Sequence, residues 1–365
     1  KAFMSENPSS LHYINYLSLD KVLDAQNLVS KEKGNEAHEE MLFIIIHQTY
    51  ELWFKQILHE LDSLVTLFKA DKIDESNIGV IVSRMDRVNK IMTTLVGQLD
   101  ILETMTSLDF LDFRDYLSPA SGFQSHQFRK LEVLLGLKIE KRHQPGGCPY
   151  HSQFEGDRKE EMLNLEANES LFSLVERWLE RIPFLNMESF DFIKKYEVAV
   201  NEMLEKEIAG IKSANLTEED RALRIRMIDE NRKYFKRVLS EEAHNKAMGE
   251  GETKLSYKAT MSALLIHLYR EQPILHLPYQ FLRSLVELDH KIASWRFRHV
   301  QMVEKMLGQK IGTGGSSGQE YLKQTVDKHK LFTDLANIAT LMISRSYLPE
   351  LPQEIKDTLG FHYKK

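Results

Sequence analysis

The chain has 365 residues, 28% of them charged and 42% hydrophobic, with a formal net charge of −6; this is an ordinary globular composition, and the acidic balance with interspersed signs argues against nucleic acid as a partner. The longest apolar run, Met41 to Ile46, falls far short of the roughly 18 residues a membrane span needs, and the polar N-terminus lacks a signal-peptide core, so a cytoplasmic location and no membrane partner are expected. One cysteine, Cys148, excludes an internal disulfide and any all-cysteine metal site, so a metal would need His, Asp, Glu or a prosthetic group.

Helical periodicity recurs along the chain. Ser18 to Val29 has apolar residues at helical intervals, and Glu39 to Lys69 is a long amphipathic run without Gly or Pro. Some 30 residues of helix would span roughly 45 Å, the scale of a domain. Asn77 to Met105 is a second long helix, and Leu108 to Leu117 a short one ended by Pro119, which disfavours helix at Ser118. Phe123 to Leu137 resumes the pattern, and His143 to Asp157, with Pro145-Gly146-Gly147, is loop. Leu171 to Arg181 is helical, Phe190 to His244 gives one or two charge-dense exposed helices, and Gly249-Glu250-Gly251 is a turn. Ser256 to Arg270, Pro278 to Leu307 and Gln319 to Ser344 complete the set, the last two separated by a Gly/Ser-rich stretch. No run alternates at period two long enough for a strand. The expected fold is all-α: one large helical domain over residues 1–365 with an inserted charged helical hairpin near residues 183–252.

Four segments carry candidate chemistry. Phe43, His47, Tyr50 and Phe54 fall at offsets 0, 4, 7 and 11, one helix face with three aromatic rings and one imidazole. That suits a flat aromatic ligand; a core stripe with one satisfied histidine has the same spacing. Arg114 lies in an aromatic-rich segment before the Pro119 break and has the fork geometry for a carboxylate, although Asp112 and Asp115 are local alternatives. His299, mid-helix in Trp295-Arg296-Phe297-Arg298-His299 with Met302, Val303 and Met306 following, suits a proximal haem ligand or a plain core histidine; Arg296 and Arg298 suit anionic groups or water. Gly312 to Gly318 is neither a Walker A loop nor a dinucleotide fingerprint; a ligand-ordered lid and a plain linker are both open.

The literal strings go further than the spacings. Tyr50-Glu51-Leu52-Trp53-Phe54-Lys55-Gln56, Leu102-Glu103-Thr104-Met105-Thr106, Leu117-Ser118-Pro119-Ala120-Ser121-Gly122-Phe123-Gln124-Ser125, Arg177-Trp178-Leu179-Glu180-Arg181 and Gly312-Thr313-Gly314-Gly315-Ser316-Ser317-Gly318 closely resemble the tryptophan 2,3-dioxygenase family, in order, from about Tyr13 to near Leu348. Length and the charged insert look like the animal-type members. The resemblance implies a haem b pocket, O₂ as co-substrate, and cleavage of the indole C2–C3 bond of L-tryptophan to N-formylkynurenine, the first step of the kynurenine pathway. It implies His299 as the proximal iron ligand and His47 as the distal histidine that accepts the indole N–H. It further implies an indole wall of Phe43, Tyr50, Phe54, Phe110 and Leu117, a carboxylate partner in Arg114, Ser121, Gly122 and Trp295 against the haem, and Thr313 at the amino-acid end of the substrate. A homotetramer, a dimer of dimers in which Tyr13 and Tyr16 complete a neighbouring subunit's site, is implied too. Ile46, the Phe297-Arg298 pair, His126 and Gln319 depart from the common family pattern and bear on rate and tuning. A same-fold haem oxygenase acting on another indole, and a haem or tryptophan sensor without turnover, are the rival readings.

Overall fold

The computed structural model describes residues 12–70, 75–139, 154–187, 190–308, 310, 325–326 and 329–360. The elements run α1 (Tyr13–Leu17), α2 (Leu19–Leu23), α3 (Val29–Glu32), α4 (Glu39–Lys69), α5 (Ile78–Leu102), α6 (Ser107–Arg114), α7 (His126–Leu135), α8 (Gly156–Ala167) and α9 (Leu171–Glu180). A two-residue antiparallel pair, Asn186–Met187 with Phe190–Asp191, precedes α10 (Phe192–Ser213), α11 (Glu218–Leu239), α12 (Glu241–Gly249), α13 (Tyr257–Leu268), α14 (Pro273–Leu307), α15 (Thr333–Asn337) and α16 (Gln353–Leu359). The protein is all-α, as the periodicity predicts. Among the described residues, no helix is long and apolar enough to cross a membrane.

Three long helices form the frame. α14 lies along α5, and α5 along α4. Their inward faces meet in one continuous core, where Leu61, Leu64, Ile81, Leu95, Phe281 and Leu285 are fully buried, each burial contributing roughly 1.5–3 kcal/mol. α7, α9 and α6 also pack on α4. The α5–α14 seam is also pinned by polar bonds: the Asn89 amide donates to the Ser284 carbonyl at 2.9 Å, and Lys291 donates to the Asn89 carbonyl at 2.9 Å. α10 and α11 pack on each other, their outer faces salt-bridged, as in Arg232 to Glu205 at 2.7 Å.

Several boundaries differ from the sequence reading, each for a visible reason. Ser18 to Val29 is not one helix, because Ser18 takes a left-handed conformation (φ 51°) between α1 and α2. α3 then begins where the buried Glu40 carboxylate accepts the backbone N–H groups of Val29 and Ser30, both at 2.9 Å, the arrangement a helix N-terminus favours. α14 starts at Pro273, with Pro278 inside it. The long helix expected over Gln319 to Ser344 is broken in its described part: α15 is only five residues, followed by a 3₁₀ turn, Ile338–Leu341. The buried Asp289 carboxylate of α14 accepts the N–H groups of Leu331 at 2.9 Å and Phe332 at 3.0 Å. Those donors are thereby committed to a tertiary bond instead of a helical one.

Candidate active site

The site begins with α4. Its apolar period turns Phe43, His47, Tyr50 and Phe54 to the interior of the frame, where they meet α5, α6, α7 and α14 around one deep cavity of about 740 Å³, within the range of cofactor and small-molecule sites. Phe43 packs edge-on to Phe113 at 5.5 Å and against Phe110 at 5.8 Å; Phe54 packs against Phe128 at 5.4 Å and edge-on to Trp295 at 6.4 Å. Tyr50 is buried, and its hydroxyl donates to the Leu95 carbonyl at 2.7 Å. Burial pushes its pKa up to about 12, so the ring serves as a neutral wall.

Three imidazoles line this cavity, those of His47, His299 and His329. His47 Nδ1 lies 2.7 Å from the Phe43 carbonyl one turn earlier. A carbonyl only accepts, so Nδ1 carries the hydrogen and Nε2 is left as an acceptor. Burial lowers the His47 pKa, against the opposing effects of that hydrogen bond and the nearby Glu51 charge; the ring is therefore neutral near pH 7. His299 comes from α14. Burial, and then proximity to His47, push its pKa down to about 4, which leaves a neutral imidazole of the kind that ligates a metal. Trp295, one turn earlier, stacks on it at 5.5 Å with the planes 13° apart.

The loop after α6 supplies another wall. Thr106 and Asp109 form a capping box that starts α6, and Ser121 and Gln124 form a second one around the 3₁₀ turn Gly122–Gln124. Leu117, Ser121 and Gly122 line the cavity from this stretch. The inner end is polar and buried: Glu132 of α7 accepts from Arg129 at 2.7 Å and from Arg296 of α14 at 2.6 Å, with His329 Nδ1 3.9 Å away. Arg298 instead faces α5, pairing with Asp100 at 2.6 Å and Glu103 at 3.2 Å.

Ten of the fourteen site residues implied by the resemblance thus line one cavity: Phe43, His47, Tyr50, Phe54, Phe110, Leu117, Ser121, Gly122, Trp295 and His299. Arg114 is half-buried on α6 between two of them, Phe110 and Leu117, and is not itself a lining residue. Tyr13 and Tyr16 are 70% and 69% exposed on α1, away from the cavity. Thr313 and Gln319 lie outside the described residues. His126 faces α8, where its ring meets Phe154 edge-on at 5.2 Å and Glu161 at 3.3 Å. Sequence reasoning passed over Glu51, Phe128, Arg129 and Glu132, all of which line the cavity. The i, i+3 Arg129–Glu132 pair and the i, i+4 His47–Glu51 spacing were the available signals.

The family model described as tryptophan 2,3-dioxygenase matches residues 2–342. The chain is 48% identical over 354 residues to a tryptophan 2,3-dioxygenase of Bdellovibrio bacteriovorus, covering 97% of this chain and 99% of that protein. It is 45% identical over 355 residues to a tryptophan 2,3-dioxygenase of Dictyostelium discoideum (96% and 88% covered), and 46% identical over 347 residues to one of Xenopus laevis (94% and 85% covered). Because the bacterial relative matches end to end, length and the charged hairpin do not set this chain with the animal proteins. On residues spanning nearly its whole length, the chain belongs to the tryptophan 2,3-dioxygenase family.

Proposed function

We propose that this protein is a haem-dependent dioxygenase that opens the indole C2–C3 bond of L-tryptophan with O₂, both oxygen atoms entering the product N-formylkynurenine. The observation that carries the reading is one aromatic-walled cavity on which two neutral imidazoles open from different helices, His299 on α14 and His47 on α4. The lining fits haem b: the imidazole of His299 can take the iron, Trp295, Ser121 and Gly122 offer surface to a macrocycle, and the Arg129–Glu132–Arg296 cluster gives the cavity a polar inner end. When bound, haem supplies the O₂-activating redox chemistry that side chains lack.

The protein's own part is binding and orientation. Phe43, Tyr50, Phe54, Phe110 and Leu117 enclose a flat indole and exclude water. His47 Nε2 accepts the indole N–H, and the bond from His47 Nδ1 to the Phe43 carbonyl holds the ring in that tautomer. Arg114 pairs with the substrate carboxylate, and Thr313 meets its amino-acid end. Assembly as a dimer of dimers lets Tyr13 and Tyr16, exposed on one chain, complete a neighbour's site. The test is haem reconstitution followed by reaction with tryptophan in air. A product heavier than tryptophan by two oxygen atoms is expected, with His299→Ala purifying largely haem-free. Normal haem content and an unchanged spectrum in His299→Ala would overturn the ligand assignment.

A further inference from the structure

We propose that Glu51 is a positioning residue for the reaction: it ties the turn bearing Ser121 and Gly122 to the helix bearing His47, and so sets the shape of the cavity between them. The inference rests on the functional reading above and gives a role to an acid which that reading leaves unused.

Glu51 lines the cavity one helical turn after His47, so a carboxylate stands beside the aromatic face of α4 in a pocket whose lining is largely apolar. Its oxygens are divided between two partners from the facing segment. The Ser125 hydroxyl donates to Oε1 at 2.6 Å, and the Gln127 side-chain amide donates to Oε2 at 2.8 Å. The same Gln127 amide also donates to the Glu51 backbone carbonyl at 2.8 Å. Ser125 has a second task, since its hydroxyl oxygen accepts the Phe128 N–H and caps α7. One carboxylate therefore fixes the first turn of α7 and, immediately before Ser125, the 3₁₀ turn Gly122–Gln124 that borders the cavity.

This junction is more specific than a surface bond. A carboxylate acceptor gives hydrogen bonds about twice as strong as neutral ones, and both donors come from a segment 74 to 76 residues away in the chain. Loops of this kind locate their side chains only as well as their anchors do. Without Glu51, Ser121 and Gly122 would keep their local capping box but lose their register against His47. A gap of about 1 Å on that side costs orientation more than affinity, because the aromatic wall and Arg114 stay in place.

The test compares Glu51→Ala, Glu51→Gln, Ser125→Ala and the Glu51→Ala/Ser125→Ala pair in haem-loaded protein. Turnover per bound haem, KM for tryptophan and the C–O stretching frequency of the carbon monoxide adduct are measured. Glu51→Ala should lower kcat per haem about tenfold, the factor set by one hydrogen bond to a charged group, with KM changed less than about threefold and the C–O band shifted or broadened. Ser125→Ala should show part of that effect, and the double variant should match Glu51→Ala in kcat per haem, because Ser125 reaches the site through its bond to Glu51, while the lost α7 cap shows only in Tm. Glu51→Gln, which keeps an acceptor for Ser125, should recover most of kcat. A role confined to stability would lower Tm and haem loading but leave kcat per haem and the C–O band alone, and that result overturns the inference. If Glu51→Ala does not fold, Ser125→Ala and Glu51→Gln decide: a shifted band with lowered kcat supports it, and wild-type values in both reject it. Wild-type protein that takes up no haem would overturn the underlying reading and this inference with it, whereas wild-type turnover with unaffected variants overturns this inference alone.

Discussion

Glu132 offers the sharpest test of how the cavity is held together. Its carboxylate is 3% exposed and accepts from two buried guanidinium groups, Arg129 at 2.7 Å within α7 and Arg296 at 2.6 Å from α14. Glu132→Ala removes the charge that both arginines use, and breaking a buried pair on one side costs roughly 3–5 kcal/mol. Unfolding entropy of about 2.1 cal/mol/K per residue gives roughly 0.8 kcal/mol/K for this chain, so Tm should fall by about 4–6 °C. Glu132→Gln keeps an oxygen for one arginine and should lose about half as much. A triple variant with leucine at positions 129, 132 and 296 should regain part of the loss, because it removes the three charges of the cluster together. The assay is thermal unfolding of the ligand-free protein at pH 7. A Tm for Glu132→Ala within about 1 °C of wild type would refute the reasoning, since the cluster would then contribute no net pairing energy.

Three further outcomes are expected. Gly136 ends α7 at φ 126°, and an added Cβ would lie 2.8 Å from the Phe172 Cβ, so Gly136→Ala should destabilise by more than ~1 kcal/mol in denaturant unfolding; an unchanged midpoint would contradict this. Arg114→Ala should raise KM for tryptophan by about 100-fold or more, and tryptamine should be a poor substrate for the unmutated protein; equal turnover of the two would remove Arg114 from the carboxylate role. Burial lowers the His267 pKa from 6.5, so the unfolded chain binds more protons than the folded one just below pH 6.5. Stability should therefore fall as pH drops below 6.5 and level off above it. His47 and His299, lowered in the same direction, add to that slope, so His267→Gln should reduce it in part, which urea titrations at several pH values would measure.

The aromatic face of α4 was readable because it is local. One helix without Gly or Pro presents Phe43, His47, Tyr50 and Phe54 together whatever the rest of the chain does, and its observed ends are Glu39 and Lys69 as the period predicts. From its spacing alone His299 was readable only as a histidine on an apolar helix face, and its place opposite His47 came from the family resemblance; that the two share a cavity depends on α14 packing along α5. The Glu132–Arg296 bond joins residues 164 positions apart, and no local spacing signals it. The same limit explains the misjudged segment after Gln319. Its apolar period is helical, but Asp289, more than 40 residues earlier, takes the N–H groups of Leu331 and Phe332. Long-range polar bonds to single backbone groups leave no periodic trace.

The Arg129–Glu132–Arg296 cluster also bears on what ligand binding must cost. It locks α7 to α14 by charge-assisted bonds made wholly between protein side chains, while Tyr50 and His47 are each tied to a backbone carbonyl. Fixing a rotamer-rich side chain on binding typically costs about 0.5–1.5 kcal/mol. Here those restrictions are met when the chain folds, so an incoming ligand finds the walls already ordered. Preorganisation of this kind shows as a small loss of side-chain entropy on association, and it lets contact energy appear as affinity and orientation instead of being consumed in arranging the site.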